Sequence, residues 1–307
     1  MDNPYKALQK RMLGVYVEHS EVKRIWERLD YNRWLKRNSP VTTTSPICLF
    51  IQGKPGSGKT LCVKKYVERN KNYTEQDQEG NKTEIFPVLL ITMPMPLTQK
   101  ELYLNILRAL GVPVNPGTRD IGTIKHQAFQ LLRDLKVEML IIDELDYAIK
   151  YPDSTRRLIM EHVKDIANTG DICLVCVGTQ ETEVLRTLNS QHIRRYPKTV
   201  LNHFDECDDR FVQFIKEIEN QVASPVKLYL SDQEFEYPAL IHQLTGGLVG
   251  WITPILQEAF RIIGVLDNNF NDFSLLNNLN ASILIQARNN VMGEFADEDI
   301  KKIFSQS

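Results

Sequence analysis

The stretch Gly53-Lys54-Pro55-Gly56-Ser57-Gly58-Lys59-Thr60 holds three glycines, a lysine and a threonine in the spacing G-x-x-x-x-G-K-[ST]. Glycine lets the backbone turn tightly and approach a ligand without a Cβ in the way. The N–H groups of such a loop, at the start of a helix, form a concave site for an anion. The lysine adds a charge for the β- and γ-phosphates, and the threonine hydroxyl can bind magnesium. All eight residues are therefore predicted to bind the phosphates of ATP.

The residues on both sides of this loop fit the strand–loop–helix arrangement that the motif requires. The apolar run ICLFIQ precedes the loop and predicts a buried strand. After the loop, Leu61, Val63 and Val67 have the spacing of a helix that packs on this strand. The alternative is a glycine-rich turn with an unused lysine, and the flanking elements favour nucleotide binding over it.

A second motif, VEMLIIDE, occupies residues 137–144. A buried strand that ends in two acids places their carboxylates at the carboxyl edge of a parallel sheet, beside the phosphate loop. Asp143 is expected to hold magnesium together with Thr60. Glu144 is expected to orient and polarise the attacking water. A capped strand end is the alternative for these two acids.

Three further residues are candidates for contacts with the γ-phosphate. Thr179 comes two residues after the end of the predicted strand 171–177, where it is expected to sense the γ-phosphate, to cap a helix, or both. Arg194 and Arg195 precede a proline and a fifth predicted strand. Because a planar guanidinium can stabilise charge on a transferring phosphate, we predict that these arginines, Arg195 ahead of Arg194, reach the nucleotide of a neighbouring subunit. The alternative is a solvated turn.

Size and composition limit the classes of protein that the chain can belong to. Its 307 residues suffice for two domains, and 42% hydrophobic with 25% charged residues is ordinary for a globular protein. Lys and Arg number 37 against 39 for Asp and Glu, so DNA binding requires the basic residues to be gathered on one face, or an oligomer to gather them. No apolar run approaches the roughly 20 residues of a membrane span, so no membrane partner is expected.

The cysteines are expected to be reduced thiols rather than disulfides or metal ligands. The chain has five of them, and Cys173-x-x-Cys176 lies within a predicted strand. Residues three apart in a strand point to opposite faces, so these two thiols are not expected to bind one metal ion.

The order of predicted elements divides the chain into three parts. Residues 1–46 form an N-terminal helical segment, residues 47–205 an α/β ATPase core, and residues 206–307 a helical lid with C-terminal helices. Within the core, the polar stretch 70–84 is predicted to be a solvated loop. Within the last part, residues 226–230 are predicted to be a strand.

Two stretches outside the core are candidates for lying close to the nucleotide. The helix predicted within residues 18–36 either packs on the sheet edge or supplies apolar contacts to a purine ring. The glycine-rich turn at residues 246–250 is predicted to begin a helix that faces the nucleotide.

The motifs, taken in this order, resemble those of the AAA+ ATPases and more narrowly the TniB/TnsC family of transposition regulators, including those of CRISPR-associated transposons. The resemblance covers about residues 15 to 265 and is carried by residues 53–60, 137–144, 177–179 (VGT) and 245–252 (TGGLVGWI). It implies an α/β P-loop fold with a five-stranded parallel sheet in the order 5-1-4-3-2 and a small C-terminal α-helical lid.

The resemblance also implies a function. Such proteins are ATP-dependent, DNA-binding regulators of transposition that use magnesium and assemble as hexameric rings or helical filaments on double-stranded DNA. They recruit a transposase and a TniQ-type target-selection protein in the bacterial cytoplasm. The alternatives are an origin-recognition or helicase-loading AAA+ ATPase, and a signalling NTPase switch without a role in DNA binding.

By position, the resemblance assigns contacts with the DNA backbone to Lys100, Thr118, Arg119 and Lys125. Acids such as Glu101 are interspersed among these residues, so composition alone supports a solvated face as strongly as a DNA-binding surface.

One position departs from the family pattern. Relatives often carry arginine in the lid turn, as G-x-x-G-R, where it touches the γ-phosphate. This chain has Trp251 there, so either that sensor is absent or another basic residue such as Arg261 serves.

Overall fold

The structure is a computed structural model that describes residues 3–38, 47–113, 120–188 and 190–293. Thr118, Arg119 and the end of the predicted C-terminal helical part, after residue 293, lie outside the described residues. Contacts divide the chain into two compact units. The α/β unit comprises Glu21–Pro55 and Lys59–Leu201, and the helical unit comprises Met1–Ser20, Gly56–Gly58 and Asn202–Ser307.

Strands and helices alternate in the α/β unit, as its sequence predicts. The strands are β1 (Cys48–Gln52), β2 (Tyr73–Gln76), β3 (Lys82–Ile85), β4 (Val88–Thr92), β5 (Met139–Asp143), β6 (Cys173–Gly178) and β7 (Lys198–Val200). The helices of the chain are α1 (Pro4–Leu13), α2 (Ser20–Asn38), α3 (Lys59–Arg69), α4 (Gln99–Ala109), α5 (Ile121–Asp134), α6 (Asp153–Thr169), α7 (Glu183–Arg186), α8 (Ser190–Arg195), α9 (Asp209–Val222), α10 (Tyr237–Thr245), α11 (Val249–Ile262) and α12 (Ala281–Met292). Short 3₁₀ turns occupy Leu145–Lys150, Gln180–Thr182, Gln233–Phe235 and Phe273–Asn278.

Five strands form a parallel sheet in the order β4-β5-β6-β1-β7. Numbered along the chain within this sheet and read from the β7 edge, the order is 5-1-4-3-2, and the labels differ only because β2 and β3 lie outside the sheet. All residues of β1, β5 and β6 are buried, which is typical of a parallel sheet with both faces covered. The predicted fold class is confirmed.

The register of this sheet positions the functional candidates. Gln52 pairs with Gly178, and Thr92 pairs with Asp143, so the carboxyl ends of neighbouring strands meet at one edge. The phosphate-loop sequence begins directly after β1, and the acids of VEMLIIDE end β5. Parallel strands have to bring these stretches to the same edge of the sheet.

Helix α2 packs on the α/β unit. The Trp26 indole is buried and donates a hydrogen bond to the Cys62 carbonyl at 3.1 Å. Arg33 and Arg37 both bond to the Glu138 carboxylate just before β5, at 2.8 and 2.6 Å. Of the two alternatives for this segment, these contacts support the packing helix.

The prediction of a solvated loop over residues 70–84 is wrong. This stretch forms an antiparallel hairpin of β2 and β3, with Tyr73 opposite Ile85. The Asp77 carboxylate closes its turn by accepting hydrogen bonds from the N–H groups of Glu79 and Asn81, each at 2.9 Å. Most of the hairpin's side chains are solvent-exposed, so its composition lacks the apolar alternation that marks a half-buried strand.

The predicted strand at residues 226–230 is also wrong. Leu228 and Leu230 are buried, which accounts for the apolar pattern. The N–H groups of Leu230 and Ser231 donate to the Glu219 carboxylate at 2.9 and 3.0 Å. The Glu219 side chain on α9 therefore accepts hydrogen bonds from backbone N–H groups that, in a strand, would donate to the neighbouring strand.

The helical unit is built on the strongly amphipathic helix α9. Asp208 caps this helix by accepting from the N–H groups of Arg210 and Phe211, each at 3.1 Å. Helix α1 joins it through Arg11, whose side chain donates to the Val222 carbonyl at 2.8 Å. The segment predicted as residues 1–46 is thus divided between the two units, with α1 in the helical unit and nearly all of α2 in the α/β unit.

Within the described residues, no single helix is long and apolar enough to cross a membrane. Helices α10 and α11 meet the length and composition test only as a pair, bent by 116° at the break between them.

The packing of the cysteines gives a direct test of the fold. Cys48, Cys62, Cys173 and Cys176 are buried and Cys207 is exposed. Burial raises the pKa of the Cys48, Cys62 and Cys173 thiols to about 12, so they are protonated at neutral pH. We expect one thiol per native chain to react rapidly with a disulfide reagent, and all five to react after denaturation. Two or more rapid thiols in the native protein would contradict this packing.

Candidate nucleotide-binding site

The phosphate loop adopts a backbone conformation that only glycine takes easily. Gly56 and Gly58 have φ values of 76° and 89°, in the left-handed region. Lys59, at the start of α3, turns its ammonium group back onto the loop and donates to the carbonyls of Gly53 and Lys54 at 2.8 and 2.9 Å. The predicted loop is therefore formed with its lysine held inside it.

The charge on Lys59 lies in a partly desolvated, acidic environment. Burial lowers the pKa of this ammonium group, and the charges of Asp146, Asp143 and Glu144 oppose that effect. A lysine with three acids close enough to interact with it is typical of a site prepared for phosphate and a metal ion. The structure thus brings together Lys59 and the two acids that the motifs predicted.

The donors of the loop fit the phosphates of a nucleotide. The Ser57 hydroxyl is buried and has no hydrogen-bond partner in the described part of the chain. Thr60 and Asp143 offer hydroxyl and carboxylate oxygens, which are the hard donors that magnesium prefers. Within the described ranges, no group of three His, Cys, Asp or Glu residues could hold a metal ion. Magnesium bound by Thr60 and Asp143 would neutralise charge on the phosphates.

The two acids that end β5 have different environments. Asp143 is buried and accepts a hydrogen bond from the Glu144 N–H at 2.8 Å. Glu144 is half-buried and has left-handed backbone angles, φ 58° and ψ 40°. Burial raises the pKa of Glu144, and the charges of Asp143 and Asp146 raise it further. A non-glycine residue in this conformation stores strain, and such residues cluster at functional sites.

Asp146 is a site residue that the sequence motifs missed. Its carboxylate accepts hydrogen bonds from the Thr179 N–H at 3.0 Å and from the Thr179 hydroxyl. Asp146 thereby ties the end of β6 to the 3₁₀ turn that follows β5. A third acid two residues after the motif was the available signal, but a sequence does not show which N–H or hydroxyl group donates to such an acid.

This contact bears on the predicted role of Thr179. A hydroxyl group has one proton to donate, and here Asp146 receives it. Thr179 precedes the turn Gln180–Thr182, but its side chain makes no capping hydrogen bond there. Its role toward the γ-phosphate stays a prediction, and the structure adds Asp146 as the residue that orients it.

The two candidate arginines lie away from this edge. Arg195 is half-buried, donates to the Asn168 side chain at 3.2 Å, and is close enough to Cys48 to act on its thiol electrostatically. Cys48 begins β1, about 13 Å from the carboxyl end of that strand at ~3.3 Å per residue. Arg194 is exposed. Neither arginine is brought to this chain's own phosphate loop.

The described residues among the predicted DNA contacts are not free side chains on an open surface. Lys100 is half-buried in the first turn of α4. Lys125 is half-buried in α5 and pairs with the Asp165 carboxylate at 2.6 Å. The assignment of both lysines to DNA stays a prediction.

Comparison with known proteins identifies the family. A family model described as bacterial TniB protein matches residues 11–206, which is more than half of the chain. The chain belongs to the TniB family. The family predicted from the motifs is therefore confirmed as TniB. No curated protein matches the chain.

Several solved structures have a similar fold. Cdc6p of Pyrobaculum aerophilum matches with a TM-score of 0.61 and 14% identity, over 95% of this chain and 73% of its own. A Walker-type ATPase of Pyrococcus abyssi gives 0.53 and 15%, over 95% and 77%. The Aeropyrum pernix ORC1 protein, solved in complex with DNA, gives 0.56 and 13%, over 92% and 69%. At such identities the likeness shows the fold alone.

Replacing Glu144 by Gln separates binding from chemistry. We expect turnover of ATP to fall by about 100-fold or more, because the carboxylate that polarises water is lost, while nucleotide affinity is retained. In the unchanged protein, turnover should fall as the pH drops through the raised pKa of Glu144, above the ordinary value for glutamate. Phosphate release and equilibrium dialysis measure the two quantities.

Lys59→Ala is the matched control for this variant, since it removes a phosphate-binding charge and should abolish binding itself. Unchanged turnover in Glu144→Gln would remove Glu144 from its assigned role.

Proposed function

We propose that this TniB protein is an ATP-hydrolysing, DNA-binding regulator of transposition that assembles into oligomers on duplex DNA. The observation that carries the proposal is the grouping of Lys59 with Asp143 and Glu144 at the carboxyl edge of an AAA+ sheet, in a chain of this family. ATP is the nucleotide, magnesium is held by Thr60 and Asp143, and Glu144 orients the attacking water.

Hydrolysis in this proposal requires a neighbouring subunit. Arg195 lies near the amino end of β1, away from this chain's own phosphate loop, and Arg194 directly precedes it in α8. An arginine that stabilises charge on the γ-phosphate therefore comes from the next copy of the chain, and nucleotide and assembly depend on each other. A contact that pairs different surfaces of two copies forms either a closed ring or an open helical filament.

DNA is the surface on which these copies assemble. Lys100 and Lys125 would contact backbone phosphates, together with Thr118 and Arg119, and such contacts carry no sequence information. A few of them per subunit bind weakly, but many along an oligomer add through multivalency. The recruited partners are a transposase and a TniQ-type target-selection protein.

Origin recognition is the alternative function in the AAA+ class. The fold likeness to ORC and Cdc6 proteins is at 13–14% identity and concerns architecture alone. Residues 202–293 contain no strand, so this stretch does not hold the hairpin of a winged-helix DNA domain. The TniB family match favours transposition.

Mixing two inactive variants tests whether an arginine acts between subunits. Arg195→Ala should reduce turnover strongly, by about 10³-fold for an arginine finger. Mixing it with Glu144→Gln should restore part of the activity, because some interfaces then combine an intact Glu144 with an intact Arg195. Phosphate release over a series of mixing ratios measures this rescue.

A mixture of Lys59→Ala with Glu144→Gln is the control, since every site in it lacks one residue that acts within its own subunit. Activity that stays flat at all ratios of Arg195→Ala and Glu144→Gln would argue against catalysis in trans by Arg195.

Charge reversal at Lys100 tests the DNA surface. Lys100→Glu should weaken duplex binding by about tenfold or more in the presence of a slowly hydrolysed ATP analogue, and should flatten its salt dependence. Filter binding at several salt concentrations measures both effects. Lys216→Glu, an exposed position on α9, is the control and should bind like the unchanged protein. Equal loss in both variants would mean that net charge, and not this surface, governs binding.

A further inference from the structure

The first turn of α11 makes a close contact with the tip of the phosphate loop. The Gly250 N–H donates a hydrogen bond to the Gly56 carbonyl at 2.8 Å. A methyl group at position 250 would lie 2.5 Å from that carbonyl oxygen, so the approach requires glycine. Gly56 and Gly250 belong to the same compact unit.

The Trp251 side chain covers the same loop residue. A Cβ on Gly56 would lie 2.8 Å from Trp251 Nε1 and 3.2 Å from Trp251 Cδ1, so the pyrrole edge of the indole packs against Gly56. Trp251 is half-buried and packs on the hydrophobic core of the helical unit. The indole thus connects the loop tip to that core.

The hydrogen bond to Gly56 has a consequence for the next residue. In a planar trans peptide, the C=O of one residue and the N–H of the following residue point in opposite directions. Because the Gly56 carbonyl points toward α11, the N–H of Ser57 has to point away from α11. The Ser57 hydroxyl on the same residue is buried and has no partner in the described ranges. Both features leave the donors of Ser57 available to a phosphate.

We propose that Gly250 and Trp251 are positioning residues that hold the tip of the phosphate loop in its anion-binding conformation. Gly250 sets the direction of the Gly56–Ser57 peptide, and Trp251 prevents this peptide from flipping. The ligand class is the phosphate chain of a nucleotide, so the inference rests on the proposed nucleotide site. The lid-turn tryptophan acts on the loop, and Arg261 does not replace it. Arg261 lies about 15 Å further along α11 at ~1.5 Å per residue, paired with Glu258 at 2.6 Å.

Gly250→Ala is the primary test. The substitution suits a helix, since alanine has a higher helix propensity than glycine, but its methyl group collides with the Gly56 carbonyl. We expect the affinity for a slowly hydrolysed ATP analogue to fall by about tenfold, the loss that follows from one well-placed hydrogen bond. Equilibrium dialysis measures the affinity, and circular dichroism and the melting temperature check the fold.

Gly122→Ala is the matched control. Gly122 is also the second residue of a 14-residue helix, where a methyl group would meet no backbone atom and only the side-chain carboxylate of Asp120, at 3.0 Å. This variant should bind the analogue like the unchanged protein. Trp251→Ala should weaken binding, and Trp251→Phe, which keeps a ring against Gly56, should recover most of the affinity. Normal affinity in both Gly250→Ala and Trp251→Ala would overturn the proposal.

A second measurement is made on the unsubstituted protein, and variants serve only to assign its resonances. The chain has three tryptophans, so protein labelled with 5-fluorotryptophan gives three ¹⁹F resonances, which Trp34→Phe and Trp251→Phe assign. Saturation with the ATP analogue should shift the Trp251 resonance and leave that of the exposed Trp34 unchanged. An unmoved Trp251 resonance, with binding confirmed by dialysis, would overturn the positioning role and leave the nucleotide site intact. Absence of any nucleotide binding would overturn both.

Discussion

The shared register of β1, β5 and β6 is the constraint on which the site depends. These strands are buried throughout, so their backbone N–H and C=O groups have to pair within the protein, chiefly with neighbouring strands. Their carboxyl ends are therefore held level, with Gln52 beside Gly178 and Ile142 beside Cys176. The loop that carries Lys59 and the acids that follow Ile142 are short extensions of strands that cannot slide. The packing of the sheet therefore fixes where the candidate catalytic residues lie.

Holding charges at this edge is unfavourable until a ligand arrives. Burial lowers the pKa of Lys59 and raises the pKa of Glu144, so the site opposes the charged form of both groups. Their mutual attraction offsets part of this effect, and Glu144 is additionally held in a strained left-handed conformation. Phosphates and a divalent cation would compensate these charges, which is the electrostatic reason for a preorganised nucleotide site. Asp146 adds to the preorganisation by fixing the end of β6 through Thr179.

The TniB chain shares its architecture with Cdc6 and ORC proteins at 13–14% identity, so the fold depends on few specific residues. Buried strands accept many apolar sequences of suitable size. Proteins that share this fold differ mainly at their surfaces and loops, and these regions carry the residues that determine function. In this chain, the lid-turn tryptophan packed on Gly56 is such a feature.

The sequence by itself determined the motifs and the elements that carry them. Glycine spacing at residues 53–60, the continuous apolar runs of β1 and β5, and the amphipathic pattern of α9 are local properties, which a linear chain displays directly. The parallel sheet and its order followed only with the help of the family resemblance. The tertiary structure alone decided which groups meet. In the structure, Asp146 accepts a hydrogen bond from Thr179, Lys125 pairs with Asp165, and the Gly56 carbonyl accepts from Gly250. The polar stretch after α3 forms a hairpin. Hydrogen bonds and ion pairs join residues far apart in the chain, and their partners depend on the packed positions of whole helices and strands, which no local pattern encodes.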